Sequence, residues 1–391
     1  MSMKNIILNN SMSSLKKNRE EITTFLKEVS SYDLEIDRKN SLKFIRYLSN
    51  IWKDDPNINY NSPLWVGWKV TPRCDMECKH CWANLHGEDQ SLEQMLNVAK
   101  KLADAGVIHI TLTGGEPFMR KDLFQIIKYL KSRRIFIEIF SNGSLINSEK
   151  AKKLSSLLDL ESDTVQISLD GACAETHDMQ RKKGSFERVI KAIKNLKNNG
   201  IKVRVNYTAT PINTNEIVDS YRLVSNLGID IFSVTPVYPS GRGTEMVPSM
   251  NYSDYLDQVL SCHKMKKNNE DLTSLRIFSP IPLFYYSDKF IKKDVNSLFR
   301  LEEGHLYWSI DSIGDVYPSI DLYLPELLGG NIYKDSIQTI QSNFKRILGY
   351  RDLSNTKCSN CKHLSFCQGG DLGRVFRMYN HFNEKDPECL Y

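Results

Sequence analysis

From residue 64 onward, short β-prone runs alternate with longer amphipathic runs, and this alternation narrows the possible folds more than any other feature. "LWVGWKV" (64–70), "IHITLT" (108–113), "IFIEIF" (135–140), "TVQISL" (164–169), "KVRVNYTA" (202–209) and "IDIFSVTP" (229–236) read as strands. Helical periodicity fills 91–105, 121–132, 148–158, 185–198 and 214–226 between them. Strands separated regularly by helices form a parallel sheet with the helices outside. The fold class is therefore α/β. An open barrel of six such units is consistent with the pattern, although periodicity alone does not separate it from a flat sheet. In either case the chemistry belongs on the loops at the C-terminal strand ends.

Those loops are where the unusual residues fall. The first strand runs into "PRCDMECKHC", with Cys74, Cys78 and Cys81 spaced C-x3-C-x2-C. "TGGEP" (113–117), "SNG" (141–143) and "SLDG" (168–171) follow later strands. Nine cysteines in 391 residues is a high count. No signal-peptide core or apolar run long enough to span a membrane is present, so a cytoplasmic location is expected. In that reducing compartment, clustered thiols indicate metal binding or catalysis rather than disulfides. The net charge of +5 is mild and spread among acidic residues, which fits a solvated surface and gives no reason to expect nucleic acid.

Three thiolates in one loop leave one coordination position free on a [4Fe-4S] cluster, where a small chelating molecule can bind. A zinc ion completed by His80 or His86 is the other reading of these residues taken alone.

The context resembles the radical S-adenosylmethionine (SAM) superfamily, whose signature is C-x3-C-x-aromatic-C after the first barrel strand. Here His80 takes the aromatic place, and the resemblance covers roughly residues 64–242. Gly114, Gly115, Glu116 and Pro117 match the family's segment for the methionyl amino group. Ser141 and Asn142, and then Ser168 and Asp170, match later SAM-contacting strand ends, although Asp170 reads equally as a turn residue. "HDMQRKKGSF" (177–186) resembles a run in which Arg181 would face the methionyl carboxylate, and "PSGRG" (239–243) resembles the sixth-strand segment. A carboxylate beside an ammonium and a guanidinium beside a carboxylate suit those roles chemically. For Glu116, a carboxylate at a helix N-terminus is the structural alternative.

Past residue 250 the alternation stops. A helix is expected near 252–267, and "LYWSIDSIGDVYPSI" (306–320) reads as a hairpin turning at Ser312–Asp315. "CSNCKHLSFCQGGD" (358–371) then gives C-x2-C-x5-C-x3-D, and Cys389 follows. Taken alone, Cys358, Cys361, Cys367 and Cys389 are a four-thiolate site for zinc or iron–sulfur. Beside a radical SAM barrel they resemble the SPASM extension, which carries auxiliary [4Fe-4S] clusters. The ligands that the resemblance assigns to the first auxiliary cluster are missing: Ser319 and Asp371 replace two cysteines, and His305 stands near the place of a third. The resemblance therefore implies a SAM-binding cluster and one auxiliary cluster, with extra space for a bulky substrate where the inner cluster is lost.

The expected organisation is a helical N-terminal extension (1–60), a partial (β/α)6 TIM-like barrel (61–250), a connecting region (251–304) and a cysteine-rich SPASM extension (305–391). This combination resembles the maturases of ribosomally made peptides. It implies SAM cleavage to a 5′-deoxyadenosyl radical, hydrogen abstraction from a precursor peptide, and a carbon–carbon or thioether crosslink whose surplus electron an auxiliary cluster collects. Epimerisation with Cys173 as hydrogen donor, haem or cofactor biosynthesis, and a non-catalytic zinc or iron–sulfur binding protein are the alternatives. The enzyme readings call for a flavodoxin or ferredoxin donor and no membrane. Cys173 and Cys262 otherwise read as ordinary thiols.

Overall fold

The computed structural model describes residues 62–83, 85–269, 273–277, 303–349, 351–361, 364, 369–387 and 389. The helices expected within residues 1–60, and Cys367, lie outside that set. The strands are β1 (Trp65–Lys69), β2 (His109–Thr113), β3 (Phe136–Ser141), β4 (Thr164–Ser168), β5 (Val203–Ala209), β6 (Ile231–Pro236), β7 (Ser274–Ile277), β8 (Tyr307–Ile310), β9 (Asp315–Tyr317) and β10 (Gly330–Asn331). They form one sheet in the order β10-β9-β8-β1-β2-β3-β4-β5-β6-β7. From β8 through β7 every pairing is parallel. Strands β1 to β6 lie side by side in chain order, as in a wound barrel, without the order reversal of a doubly wound sheet.

The helices are α1 (Leu92–Asp104), α2 (Leu123–Ser132), α3 (Ser148–Ser155), α4 (Ala174–Gln180), α5 (Ser185–Asn198), α6 (Ile217–Asn226), α7 (Tyr252–Asn268), α8 (Ile337–Leu348) and α9 (Leu372–Tyr379). Helix α1 shows why these segments form where they do. Ser91 and Gln94 make a reciprocal capping box at its start. Met95, Val98, Ala99 and Leu102 then bury one stripe at helical spacing. Among the described residues no helix is long and apolar enough to cross a membrane.

Two findings depart from the six-strand expectation. β7 extends the parallel array beyond residue 250, and β8 pairs with β1 from a segment expected to belong to the C-terminal extension. The hairpin turn falls where the turn residues placed it, with β8 antiparallel to β9. The sheet thus crosses both expected boundaries, because a barrel left open after β6 would expose the edges of β1 and β6.

The two faces of the sheet differ. Val66, Ile110, Ile137, Val165 and Val203 lie on the helix side and are buried. The opposite face carries Lys69, Thr111, Glu138, Gln166, Arg204 and Asn206, with Thr111 in register with Glu138 and Gln166 with Arg204. Arg204 bridges Glu138 at 2.9 Å and donates to Gln166 at 2.8 Å. A TIM barrel fills its interior with bulky branched side chains. This lumen is instead polar, and Thr113, Phe140, Ser168, Thr208 and Thr235 near the strand C-termini keep partial exposure. It has the character of a binding cavity.

Candidate active site

The cysteine loop, residues 71–83, contains neither helix nor strand and is gripped from several sides. Gly115 and Glu116 donate their backbone N–H groups to the carbonyls of Thr71 (2.8 Å) and Arg73 (2.7 Å). A Cβ on Gly115 would stand 2.1 Å from the Arg73 oxygen, and one on Gly114 would stand 2.4 Å from that of Thr71. Gly114 also has φ +151°, so only glycine lets this segment lie against the loop. Pro117 opens a short 3-10 turn, Pro117–Met119.

The fully buried Glu116 carboxylate accepts from Phe118 N (3.1 Å), Ser141 Oγ (2.8 Å) and Asn142 N (2.7 Å). Burial outweighs these donors and pushes its pKa up to about 7. Glu116 thus caps its turn and braces the end of β3, and the face of this segment free for a ligand is backbone. From the same end of β3, Asn142 and Ser144 donate to the two oxygens of Asp75, at 2.8 and 2.5 Å. Asp75 went unnoticed in the sequence because nothing marks an acid beside a cysteine as a tether.

The run after β4 supplies the next contacts, on a short helix, α4, that the strand–helix alternation did not indicate. Lys79 N donates to the Gln180 carbonyl at 2.9 Å, and Lys182 Nζ to that of Asp75 at 2.7 Å. Arg181 enters between them. Its Nε lies 2.5 Å from Asp170 Oδ2, Nη1 is 3.6 Å from Cys78 Sγ and Nη2 is 3.5 Å from His80 Nε2. Asp170 is wholly buried and also accepts from Thr208 N at 2.8 Å. Burial raises its pKa, but the charge of Arg181, with help from His80 and His177, holds it below the usual carboxylate range. Asp170 is therefore the anchor that aims Arg181, which resolves the turn-or-contact ambiguity of the sequence in terms of packing.

The segment after β6 closes the grip. Arg242 donates from N to the Cys81 carbonyl (2.9 Å) and from Nε to that of Cys78 (2.8 Å). Gly241, at φ +55°, lies where a Cβ would be 2.6 Å from the Cys81 oxygen.

The thiols themselves fit a cluster. Burial pushes Cys74 up to about 11 and raises Cys78, so the protein alone does not hold them as thiolates, and bound iron would. Among the described residues no three Cys, His, Asp or Glu side chains converge on a position for a single ion. A cubane takes one thiolate per iron and so needs ligands spread apart. His80 is turned towards Asp170 and Arg181, its Nε2 3.3 Å from Asp170 Oδ2 and 3.5 Å from Arg181 Nη2, and burial holds it neutral, at about 4.

Ser168 faces the lumen beside Asn206. Cys173 is exposed at the start of α4, its Sγ 3.6 Å from Thr176 Oγ1, and Cys262 is buried within α7. At the other end of the chain, Cys358, Cys361 and Cys389 lie close enough that the latter two raise the Cys358 pKa, behind burial as the main cause. Two of the residues that stand in place of inner-cluster cysteines are engaged in protein contacts. Ser319 is buried and accepts from Leu322 N at 3.2 Å. Asp371 caps α9 and accepts from the buried Tyr238 hydroxyl at 2.9 Å.

Residues 68–224 match the Radical SAM superfamily. This is a radical SAM enzyme. Mycofactocin maturase MftC of Mycolicibacterium smegmatis is 26% identical over 338 residues, covering 84% of this chain and 83% of that protein. The AdoMet-dependent heme synthase of Methanosarcina barkeri is 26% identical, covering 85% and 97%. In fold, Streptococcus suis SuiB bound to its precursor peptide SuiA superposes with a TM-score of 0.72 at 18% identity, covering 94% of this chain and 87% of SuiB. The radical SAM family implies SAM and a [4Fe-4S] cluster, for which the loop of Cys74, Cys78 and Cys81 offers a thiol donor set.

Proposed function

We propose that this radical SAM enzyme is a peptide maturase that crosslinks a ribosomally made precursor peptide. Cys74, Cys78 and Cys81 would hold the SAM-binding cluster, and Cys358, Cys361, Cys367 and Cys389 an auxiliary cluster in a SPASM-type extension. When bound, cluster and SAM together supply a 5′-deoxyadenosyl radical that takes a hydrogen atom from the substrate. Arg181, aimed by Asp170, binds the methionyl carboxylate. The backbone of Gly114–Pro117, braced by Glu116 and the Ser141–Asn142 turn, receives the amino group. The polar lumen at Ser168 and Asn206 borders the cavity that shelters the substrate from water.

The feature that supports the crosslinking reading is the second set of cysteines, Cys358, Cys361, Cys367 and Cys389, spaced C-x2-C-x5-C before the last one. Crosslinking removes an electron pair from the substrate, and a second cluster can accept one of those electrons. The relation to a peptide maturase supports the substrate class. The relation to a haem synthase supports cofactor biosynthesis as the second reading. Epimerisation would instead need Cys173 as donor, and its exposed thiol is chemically suited to that role.

Anaerobic reconstitution with SAM, a reduced flavodoxin and candidate precursor peptides tests the proposal. Crosslinking shows as the loss of a hydrogen pair by mass spectrometry. Uptake of solvent deuterium without mass loss, abolished in Cys173→Ala, would establish epimerisation instead. Turnover of a tetrapyrrole with an untouched peptide would support the haem reading.

A further inference from the structure

We infer that Lys69 is a substrate-binding residue whose ammonium donates a hydrogen bond to a neutral carbonyl oxygen in the lumen, such as that of a peptide amide. The inference deepens the maturase reading and rests on it for the substrate class. Lys69 ends β1 on the polar face of the sheet, just ahead of the cysteine loop. It is only 5% exposed, and its Nζ lies 3.8 Å from the centre of the Tyr323 ring. Among the described residues this ammonium has neither a hydrogen-bond acceptor nor an ion pair. A buried charge that has given up its water is ordinarily paired, and an ammonium has three N–H groups to satisfy. Thr113, in register with Lys69 on β2, and Tyr323 both keep partial exposure, so the unfilled donor borders the open part of the lumen.

The charges around Lys69 select the kind of acceptor. Asp311 follows β8, the strand beside β1, and its oxygens are already engaged. Oδ1 accepts from Ile313 N at 3.0 Å and Asp315 N at 2.8 Å, and Oδ2 accepts from the Tyr323 hydroxyl. These neutral donors leave Asp311 its negative charge, which acts on Lys69 without touching it. Burial lowers the Lys69 pKa to about 8 against the pull of Asp311 and Cys81, so the side chain is an ammonium at neutral pH. Lys69 and Asp311 thus offset one another. A carboxylate arriving here would bring an unbalanced negative charge towards Asp311 and the cysteine loop. A carbonyl oxygen takes the same charge-assisted hydrogen bond and adds no charge.

The test is anaerobic thermal unfolding of the reconstituted holoenzyme with two probes at matched ionic strength, N-acetylglycylglycinamide and succinate. The first offers neutral carbonyls and the second only carboxylates. The blocked peptide should raise the wild-type midpoint and succinate should not. Lys69→Met should abolish the peptide's shift. Lys69→Gln, which keeps an N–H donor without the charge, is run beside it and should retain part of that shift. With any candidate peptide that the wild type modifies, Lys69→Met should raise KM roughly tenfold or more, and by a larger factor than it lowers kcat. An equal peptide shift in the wild type and Lys69→Met, or none in the wild type, would overturn the assignment. So would a succinate shift that disappears in Lys69→Met, which would make the ligand a carboxylate. Failure of every candidate peptide to react, with the Lys69-dependent shift intact, would count against the maturase reading and leave the carbonyl site standing.

Discussion

The anchor beneath Arg181 gives the most demanding prediction. Asp170 is fully buried and accepts from Arg181 and Thr208, while the Arg181 side chain is only 7% exposed. Asp170→Asn leaves the amide oxygen for Thr208 and removes the charge that balances a buried guanidinium. Breaking such a pair on one side costs about 3–5 kcal/mol. The retained acceptor places this variant near the lower bound, about 3 kcal/mol. Replacing both partners, as in Asp170→Leu/Arg181→Met, removes the two desolvation penalties together and should return stability to within about 1 kcal/mol of wild type. The assay is thermal and urea unfolding of the reduced apoprotein, followed by circular dichroism, where about 3 kcal/mol is a fall of roughly 4 °C for a chain of 391 residues. The double variant should refold well and yet fail to bind SAM. A single variant within about 1 kcal/mol of wild type, or a double variant no better than the single, would refute the claim that Asp170 is needed to hold Arg181.

Gly115→Ala drives a methyl group into the Arg73 carbonyl and should cost about 1–3 kcal/mol, with iron uptake by the first cysteine set falling while the fold persists; normal iron content would contradict it. Tyr238→Phe deletes the hydroxyl bonded to Asp371 and should cost about 1.5–3 kcal/mol, read as faster amide exchange in residues 371–379. Cys358→Ala/Cys361→Ala should halve the iron content and leave the SAM-sensitive EPR signal in place, whereas loss of that signal would mean the two cysteine sets do not act as separate centres. His305 is buried and held neutral, at about 4 against its ordinary 6.5. Its depressed folded pKa gives stability that is present above about 6.5 and is lost as the pH falls towards 4. That loss is of the order of 3 kcal/mol, and His305→Phe should flatten the unfolding curve across that window.

What the sequence determined by itself is local. Apart from α4, the strands and helices from α1 to β6 follow from side-chain periodicity, which depends only on neighbours along the chain. The cysteine spacing and the glycines of "TGGEP" and "PSGRG" were legible for the same reason, since each marks a requirement of a short segment. One long-range property was also written there. Parallel strands buried on both faces read as continuous apolar runs, whereas "HITLT" and "VRVNYTA" alternate with polar residues, and that alternation is the polar lumen.

The tertiary structure decided what depends on pairing across distance. β8 joins β1 across more than half the chain, and no local pattern specifies a partner that far away. Asp75, Asp170 and Arg242 become tethers of the cysteine loop only because three strand ends converge on it, so their roles are set by neighbours remote in sequence. The missing inner-cluster thiolates read as vacant space in one dimension. In three, Asp371 is bonded to Tyr238, a partner 133 residues away that no local pattern specifies.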